Sequence, residues 1–315
     1  MLPPMSFETF DHSEFQRFAH SGARNLPFPL ATVAWSYLSA ASPSARLDSL
    51  FDFMQVAARL VGIINLSAMR ADRDLYLEAR PSLKGVGPSP GTLMRRATLG
   101  GWVKLDLSLA KSLRCLSDEQ RRQLYRVDRL ARVAPLISRD LGQVLEEGLA
   151  VRNEWEAHSG ATSASEIGRR VERLEGIVGR FWGITEDVWS QYLMIRPGSG
   201  TTRRRTFNYQ VEMLRGSNLQ FRRESAEFST TLEDQSLYFW DWDMNQALYL
   251  EPLIRVLPTS DDNHACYFHD RIQAAGVRWL SYHYGGPELP LEPPDPELLA
   301  VIEDLDEPAV DGASL

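Results

Sequence analysis

Apolar residues recur at three- and four-residue steps through most of the first 190 positions, then give way to alternating and aromatic-rich runs beyond Tyr192. The first regime predicts helices and the second predicts strands. Leu30-Ala31-Thr32-Val33-Ala34-Trp35 with Tyr37-Leu38 reads as a short apolar helix. After the Ser42-Pro43-Ser44 break, Leu47, Leu50, Phe51, Met54, Ala57, Ala58, Val61 and Ile64 trace a well-buried one. Residues 80–92, RPSLKGVGPSPGT, are dense in Pro and Gly and predict a loop. Residues 93–116 offer short helical pieces around Gly100-Gly101-Trp102.

Ser117 with Gln120 forms a capping box ahead of an amphipathic segment through Leu124, Val127, Leu130 and Val133, which Pro135 should break. The helical pattern resumes through Leu141, Val144, Leu145 and Leu149. Ser163 with Glu166 then starts a helix through Ile167, Val171, Leu174, Ile177, Val178, Phe181 and Ile184, ending near Trp189. Beyond it, Pro197-Gly198-Ser199-Gly200 reads as a turn and Arg203-Arg204-Arg205 as a basic loop. Strands are expected within 206–214, 237–240, 248–257 and 265–284. A Pro-rich linker follows, with a short acidic helix around Leu298–Leu305.

These readings predict an α+β fold. A weakly periodic, irregular or partly helical arm (1–26) precedes an all-α bundle (27–190), a small antiparallel β-domain (191–285) and a Pro-rich acidic tail (286–315). No internal repeat is visible.

Charge changes this picture only through its location. The net charge is −8, and the eight acids from Glu292 to Asp311 account for all of it, so the rest of the chain is neutral and an RNA-binding face is not excluded. The N-terminus lacks the basic-then-apolar pattern of a secretory signal, and the most apolar stretch, Phe51–Met69, carries Asp52, Gln55, Arg59 and Asn65. A cytoplasmic, non-membrane protein with two buried thiols, Cys115 and Cys266, is therefore expected.

The candidate chemistry lies in VRNEWEAHSG, residues 151–160. Chance alone gives about two Arg–His pairs at this spacing, and two occur: Arg152 with His158, and Arg278 with His283. Context separates them. RWLSYH at 278–283 has strand character, whereas Arg152–His158 falls at a predicted helix end followed by Gly160. On a continuous helix residues six apart lie about 120° from one another. A turn at Ala157–Gly160 would release His158 to approach the face carrying Arg152 and Asn153.

Arg-Asn followed by His at a helix end, within an all-helical region, resembles the motif of the HEPN superfamily, whose name abbreviates the higher-eukaryote and prokaryote nucleotide-binding domain. TLGGW at 98–102 and the segments NHACYFHDRI and RWLSYHY within 263–284 also look like pieces of bacterial HEPN-containing proteins. The resemblance implies a helical bundle that homodimerises, bringing two motifs into one cleft. It further implies a metal-independent endoribonuclease, a toxin or antiviral effector, with catalytic Arg152, Asn153 and His158 and no cofactor. An antitoxin or a regulatory sensor, ATPase or kinase would be its partner. The alternative it leaves open is a catalytically inactive binding or sensor subunit that recognises a protein or ligand.

The residue types suit that chemistry. RNA supplies its own 2′-OH nucleophile, so the protein need only move protons, here through His158, and stabilise charge, here through Arg152. Asn153 could orient the phosphate or the imidazole. Arg203, Arg204 and Arg205 could contact the RNA backbone, although a basic loop is more often simply solvated. His264, His269 and His283 with Cys266 do not meet a zinc spacing and read as structural. Tyr238, Trp240, Trp242 and Tyr249 could stack bases, but aromatics at strand positions more often make core. KGVGPSPG fails the phosphate-loop pattern.

Overall fold

A computed structural model describes residues 12–20, 22–83, 90–156, 163–203, 205–259, 263–283 and 289–306. Helices occupy its N-terminal part and antiparallel sheets its C-terminal part, as the change of periodicity predicts.

The first described residues belong to the body. α1 (His12–His20) sets Phe15 and Phe18 into the core, and Phe18 meets the ring of Phe53 edge-on at 5.5 Å. α2 (Phe28–Ser39) leads to α3 (Pro43–Arg70), whose N-terminus is capped by Ser42 accepting from the Ala45 amide at 3.2 Å. α3 is almost wholly buried from Phe53 to Met69, because α2, α6 (Leu99–Cys115) and α10 (Ala164–Gln191) pack around it. Between these lie α4 (Arg73–Leu83) and α5 (Pro90–Arg95). The expected loop at 80–92 is therefore helical on both flanks. α4 continues through Pro81 and α5 starts at Pro90, while residues 84–89, with Lys84, Gly85 and Gly87, lie outside the described residues.

α7 (Asp118–Tyr125) opens with the complete Ser117–Gln120 capping box. α8 (Leu130–Val133) breaks into a 3-10 turn, Ala134–Ile137, at Pro135. α9 (Arg139–Glu156) and α10 then lie against each other. Ser163 caps α10 by accepting from the Glu166 amide, but the Glu166 carboxylate turns outward to Arg169 and Arg170, so the reciprocal half of the box is missing.

α10 runs straight into β1 (Tyr192–Arg203). β2 (Thr206–Met213), β3 (Arg222–Phe228), β4 (Tyr238–Asp241) and β5 (Ala247–Tyr249) complete a five-stranded antiparallel sheet in the order β3-β2-β1-β4-β5. Pro197–Gly200 is a bulge inside β1 rather than a turn: Arg196 still pairs with Glu212 and Gly200 with Tyr209. Glycine is required there, because a Cβ on Gly200 would stand 2.4 Å from the Tyr209 ring. β6 (Ile254–Pro258), β7 (His264–Gln273) and β8 (Gly276–Leu280) form a second, three-stranded sheet.

One apolar core runs through the helices and both sheets, from Phe15 to Leu305. A second cluster, including Leu193, Val211, Phe228 and Trp240, fills the other face of the large sheet. Buried polar groups join the layers. Arg196 donates to Glu212 at 2.9 Å and to the Val256 carbonyl, tying one sheet to the other. Arg59, in the middle of α3, donates to the His269 carbonyl at 2.6 Å, the Ala97 carbonyl at 2.8 Å and the Asp270 carboxylate. The described part of the acidic segment includes α11 (Pro296–Asp306), which buries Leu298, Val301, Ile302 and Leu305 and pairs Asp304 with Arg70 and Arg73. Cys266 is buried as expected, but Cys115 is exposed, because it sits on the outer side of the last turn of α6. No helix among the described residues is long and apolar enough to cross a membrane.

Candidate functional site

The motif begins on the last described turn of α9. That turn is held by Trp155, which is buried between α3 and α10: it meets Phe51 edge-on at 5.2 Å, and the Arg170 guanidinium lies 4.9 Å from its ring centroid. Three residues earlier and on a neighbouring face, Arg152 is half-buried, and Asn153 beside it is exposed. The described part of α9 ends at Glu156, and His158 lies outside the described residues.

Folding brings Tyr282 within electrostatic reach of Arg152. The segment that leaves β8 passes over α3, where the Tyr282 hydroxyl donates to Oε1 of Gln55 at 3.2 Å. The Gln55 amide donates in turn to Asp52 at 3.4 Å, one turn earlier on the same helix. The Arg59 guanidinium lies 5.7 Å from the Tyr282 ring centroid. Burial pushes the Tyr282 phenol up to about 12; Arg59 opposes the rise, Asp52 and Asp270 add to it, and Arg152 opposes it. Arg152 is thus within electrostatic reach of Tyr282. Asp52 is pushed up to about 6, by burial first and then by repulsion from Asp48. Arg152, from α9, and Asp52, from α3, each lie within electrostatic reach of Tyr282 beyond the end of β8.

Deeper in the same joint, His269 is fully buried and donates from Nε2 to the Met94 carbonyl at 2.7 Å, which leaves Nδ1 as an unpartnered acceptor. Burial first, and Arg59 among the smaller causes, depress its pKa to about 4, so the ring is neutral and structural. His264 contacts Arg196 at 2.7 Å and stacks on Phe221, and Cys266 points into the core. Among the described residues no three His, Cys, Asp or Glu groups are placed to hold a metal ion.

The other expected contacts do not join this site. Arg203 ends β1, Arg204 lies outside the described residues, and Arg205 is exposed in the turn before β2. The aromatic run divides: Tyr238 and Trp240 are buried in the second cluster, Tyr249 is half-buried at its margin, and Trp242 is exposed. Asp52, Gln55, Arg59 and Tyr282 were not singled out as site residues from the sequence. One signal was available, since a charged Arg59 interrupting an otherwise apolar helix demands buried acceptors.

Comparison with protein-family models, curated proteins and solved structures yields no match for this chain.

Proposed function

We propose that the protein is a metal-independent endoribonuclease effector of a toxin or antiviral defence system, HEPN-like in its helical part and self-associating through it. The observation that carries this reading is the position of Arg152. It is half-buried at the end of α9, in electrostatic reach of Tyr282, with the Asp52 carboxyl raised to about 6 on the neighbouring helix. A planar guanidinium in such a place suits a phosphodiester whose charge grows in the transition state.

In the reaction the RNA 2′-oxygen attacks the adjacent phosphorus and its proton passes to a base. The bond to the 5′-oxygen breaks and that oxygen receives a proton, leaving a 2′,3′-cyclic phosphate and a 5′-hydroxyl. His158 performs the proton transfers, Arg152 holds the phosphate, and Asn153 orients one or the other. Arg203, Arg204 and Arg205 would act only as outlying backbone contacts.

Expression of the wild-type chain is expected to arrest growth of a bacterial host, and His158→Ala to relieve the arrest at equal protein level. Wild-type expression without toxicity, or equal toxicity of the variant, contradicts the reading.

A second reading is favoured by one surface feature. Trp35 and Leu38 are exposed and, with Arg24 and Asn218, line a groove of about 540 Å³. This suits a non-catalytic module that recognises a protein partner or ligand. A stable complex with a non-nuclease partner, without toxicity, would favour it.

A further inference from the structure

The groove beside α2 has a chemistry of its own. Ala31, Trp35 and Leu38 follow one another at steps of four and three residues, so they share one face of that helix and line the groove together. Trp35 is 53% exposed and Leu38 43%, whereas Ala31 is fully buried. Ser39 donates to the Trp35 carbonyl at 2.8 Å and ties down the last turn of α2. The rest of the lining comes from the turn that carries Arg24, ahead of α2, and from the loop between β2 and β3, where Gly216 and Asn218 lie.

Main-chain bonds pin these segments to one another. The Gly216 amide donates to the Leu26 carbonyl at 2.9 Å, the Phe28 amide to the Leu214 carbonyl at 3.0 Å, and the Asn25 amide to the Gly22 carbonyl at 2.8 Å. Gly216 has a φ of +72°, and a Cβ there would stand 3.2 Å from the Arg24 carbonyl oxygen, so the loop lies close against the chain that carries Arg24. The groove is therefore built before anything enters it. Its volume, about 540 Å³, is that of a small-molecule site.

Its polar groups select the ligand. Arg24 is the one charged residue among the described residues that line it. The Arg24 side chain is exposed and forms no ion pair among the described residues. Oδ1 of Asn218 accepts from the Gln220 amide at 3.0 Å, which leaves the Asn218 NH₂ group as a donor. Arg215, one residue before Gly216, brings no carboxylate with it, since burial alone lowers its pKa. Glu175, the carboxylate bonded to α2, is held by the buried Tyr37, about 200° round the helix from Trp35. An indole face, apolar padding, a guanidinium and an amide donor suit a molecule with a flat apolar body and an acid group. A cation would meet the guanidinium with repulsion, and an uncharged molecule would leave it unpaired.

We infer that this groove binds a small organic anion, with its flat apolar body on Trp35 and its acid group on Arg24. The inference gives the ligand of the second reading a chemical class, and it rests on that reading for taking the groove as a recognition surface.

The test uses the full-length chain and two fluorescent probes of similar shape. One is 8-anilinonaphthalene-1-sulfonate, an anion, and the other is N-phenyl-1-naphthylamine, which lacks the sulfonate. Wild type is expected to bind the sulfonate saturably, one per chain. Arg24→Gln should weaken the sulfonate about tenfold and leave the uncharged probe within about threefold of wild type. Trp35→Ala should weaken both probes about tenfold. Both side chains are exposed, so thermal unfolding of the two variants should match that of wild type.

Absence of saturable sulfonate binding by wild type, unchanged sulfonate binding in either variant, or an equal loss of both probes in Arg24→Gln would each overturn the inference. Failure of the second reading looks different: the chain cuts RNA in a His158-dependent way while Arg24-dependent sulfonate binding persists.

Discussion

The hydroxyl of Tyr282 donates to Oε1 of Gln55 across 3.2 Å, fastening the end of the second sheet to the middle of α3 beside the last turn of α9. Arg59, one turn further along α3, reaches the same ring and the main chain of β7. The junction holding Arg152 is thus built from segments more than two hundred positions apart in the chain.

Tyr282→Phe removes that hydrogen bond and keeps the ring. The expected cost is about 1 kcal/mol of stability. A urea midpoint lowered by that amount with unchanged slope would support the contact as drawn; no change would place the hydroxyl in solvent.

Arg59 carries more. Truncating it strands the His269 and Ala97 carbonyls in the joint, where each has been satisfied by the guanidinium. Arg59→Leu should destabilise the fold by about 3 kcal/mol or more. The measurement is equilibrium unfolding, and a cost below about 1 kcal/mol would show that the joint does not depend on it.

Asp106 sets a pH dependence. It is buried between α3 and α6, where Nδ2 of Asn65 donates to it at 2.6 Å and to the Leu136 carbonyl at 3.1 Å, and Tyr125 closes the network on Asn65. Burial raises its pKa to about 7, with Asn65 and Arg114 opposing the rise. In the unfolded chain the group ionises near 4. Between about 4 and 7 the folded state therefore binds the extra proton, and Asp106 contributes a loss of stability as pH rises through that window. Asp106→Asn, which mimics the neutral acid, should flatten this part of the profile and gain relative stability at pH 8. An unchanged profile would mean that Asp106 titrates in the fold as it does in the unfolded chain.

Gly276 links the sheet to the acidic C-terminal segment. Its φ is +139°, and a Cβ there would stand 2.4 Å from the Glu292 carbonyl oxygen, which accepts from the Val277 amide at 2.7 Å. Gly276→Ala should cost about 2 kcal/mol and loosen α11, read as faster limited proteolysis after residue 290. An unchanged cleavage rate would show that α11 docks without this contact.

The helices were legible because their burial follows their own periodicity: the apolar steps of α3 and α10 face one core. β1 and β3 were not. The Pro197–Gly200 stretch has turn chemistry that its pairing with β2 overrides as a bulge, and β3 shows only Ala226 and Phe228 buried in a charged edge strand. The arm reading of residues 1–26 missed Phe15 and Phe18 because two aromatics are too few to display a period. Arg152 and Asn153 were readable as part of a motif. Tyr282 with its partners Gln55 and Asp52 was not, since only the docking of the sheet on α3 brings them together.

The most direct measurement is the initial rate of cleavage of unstructured RNA in EDTA by purified wild type, Arg152→Ala and His158→Ala, with thermal unfolding of each recorded alongside. The account predicts cleavage by wild type, products ending in 2′,3′-cyclic phosphate, and losses of about a hundredfold or more in each variant with near-unchanged melting temperature. Wild type that leaves RNA intact, or variants that cut as fast as it does, would contradict the account.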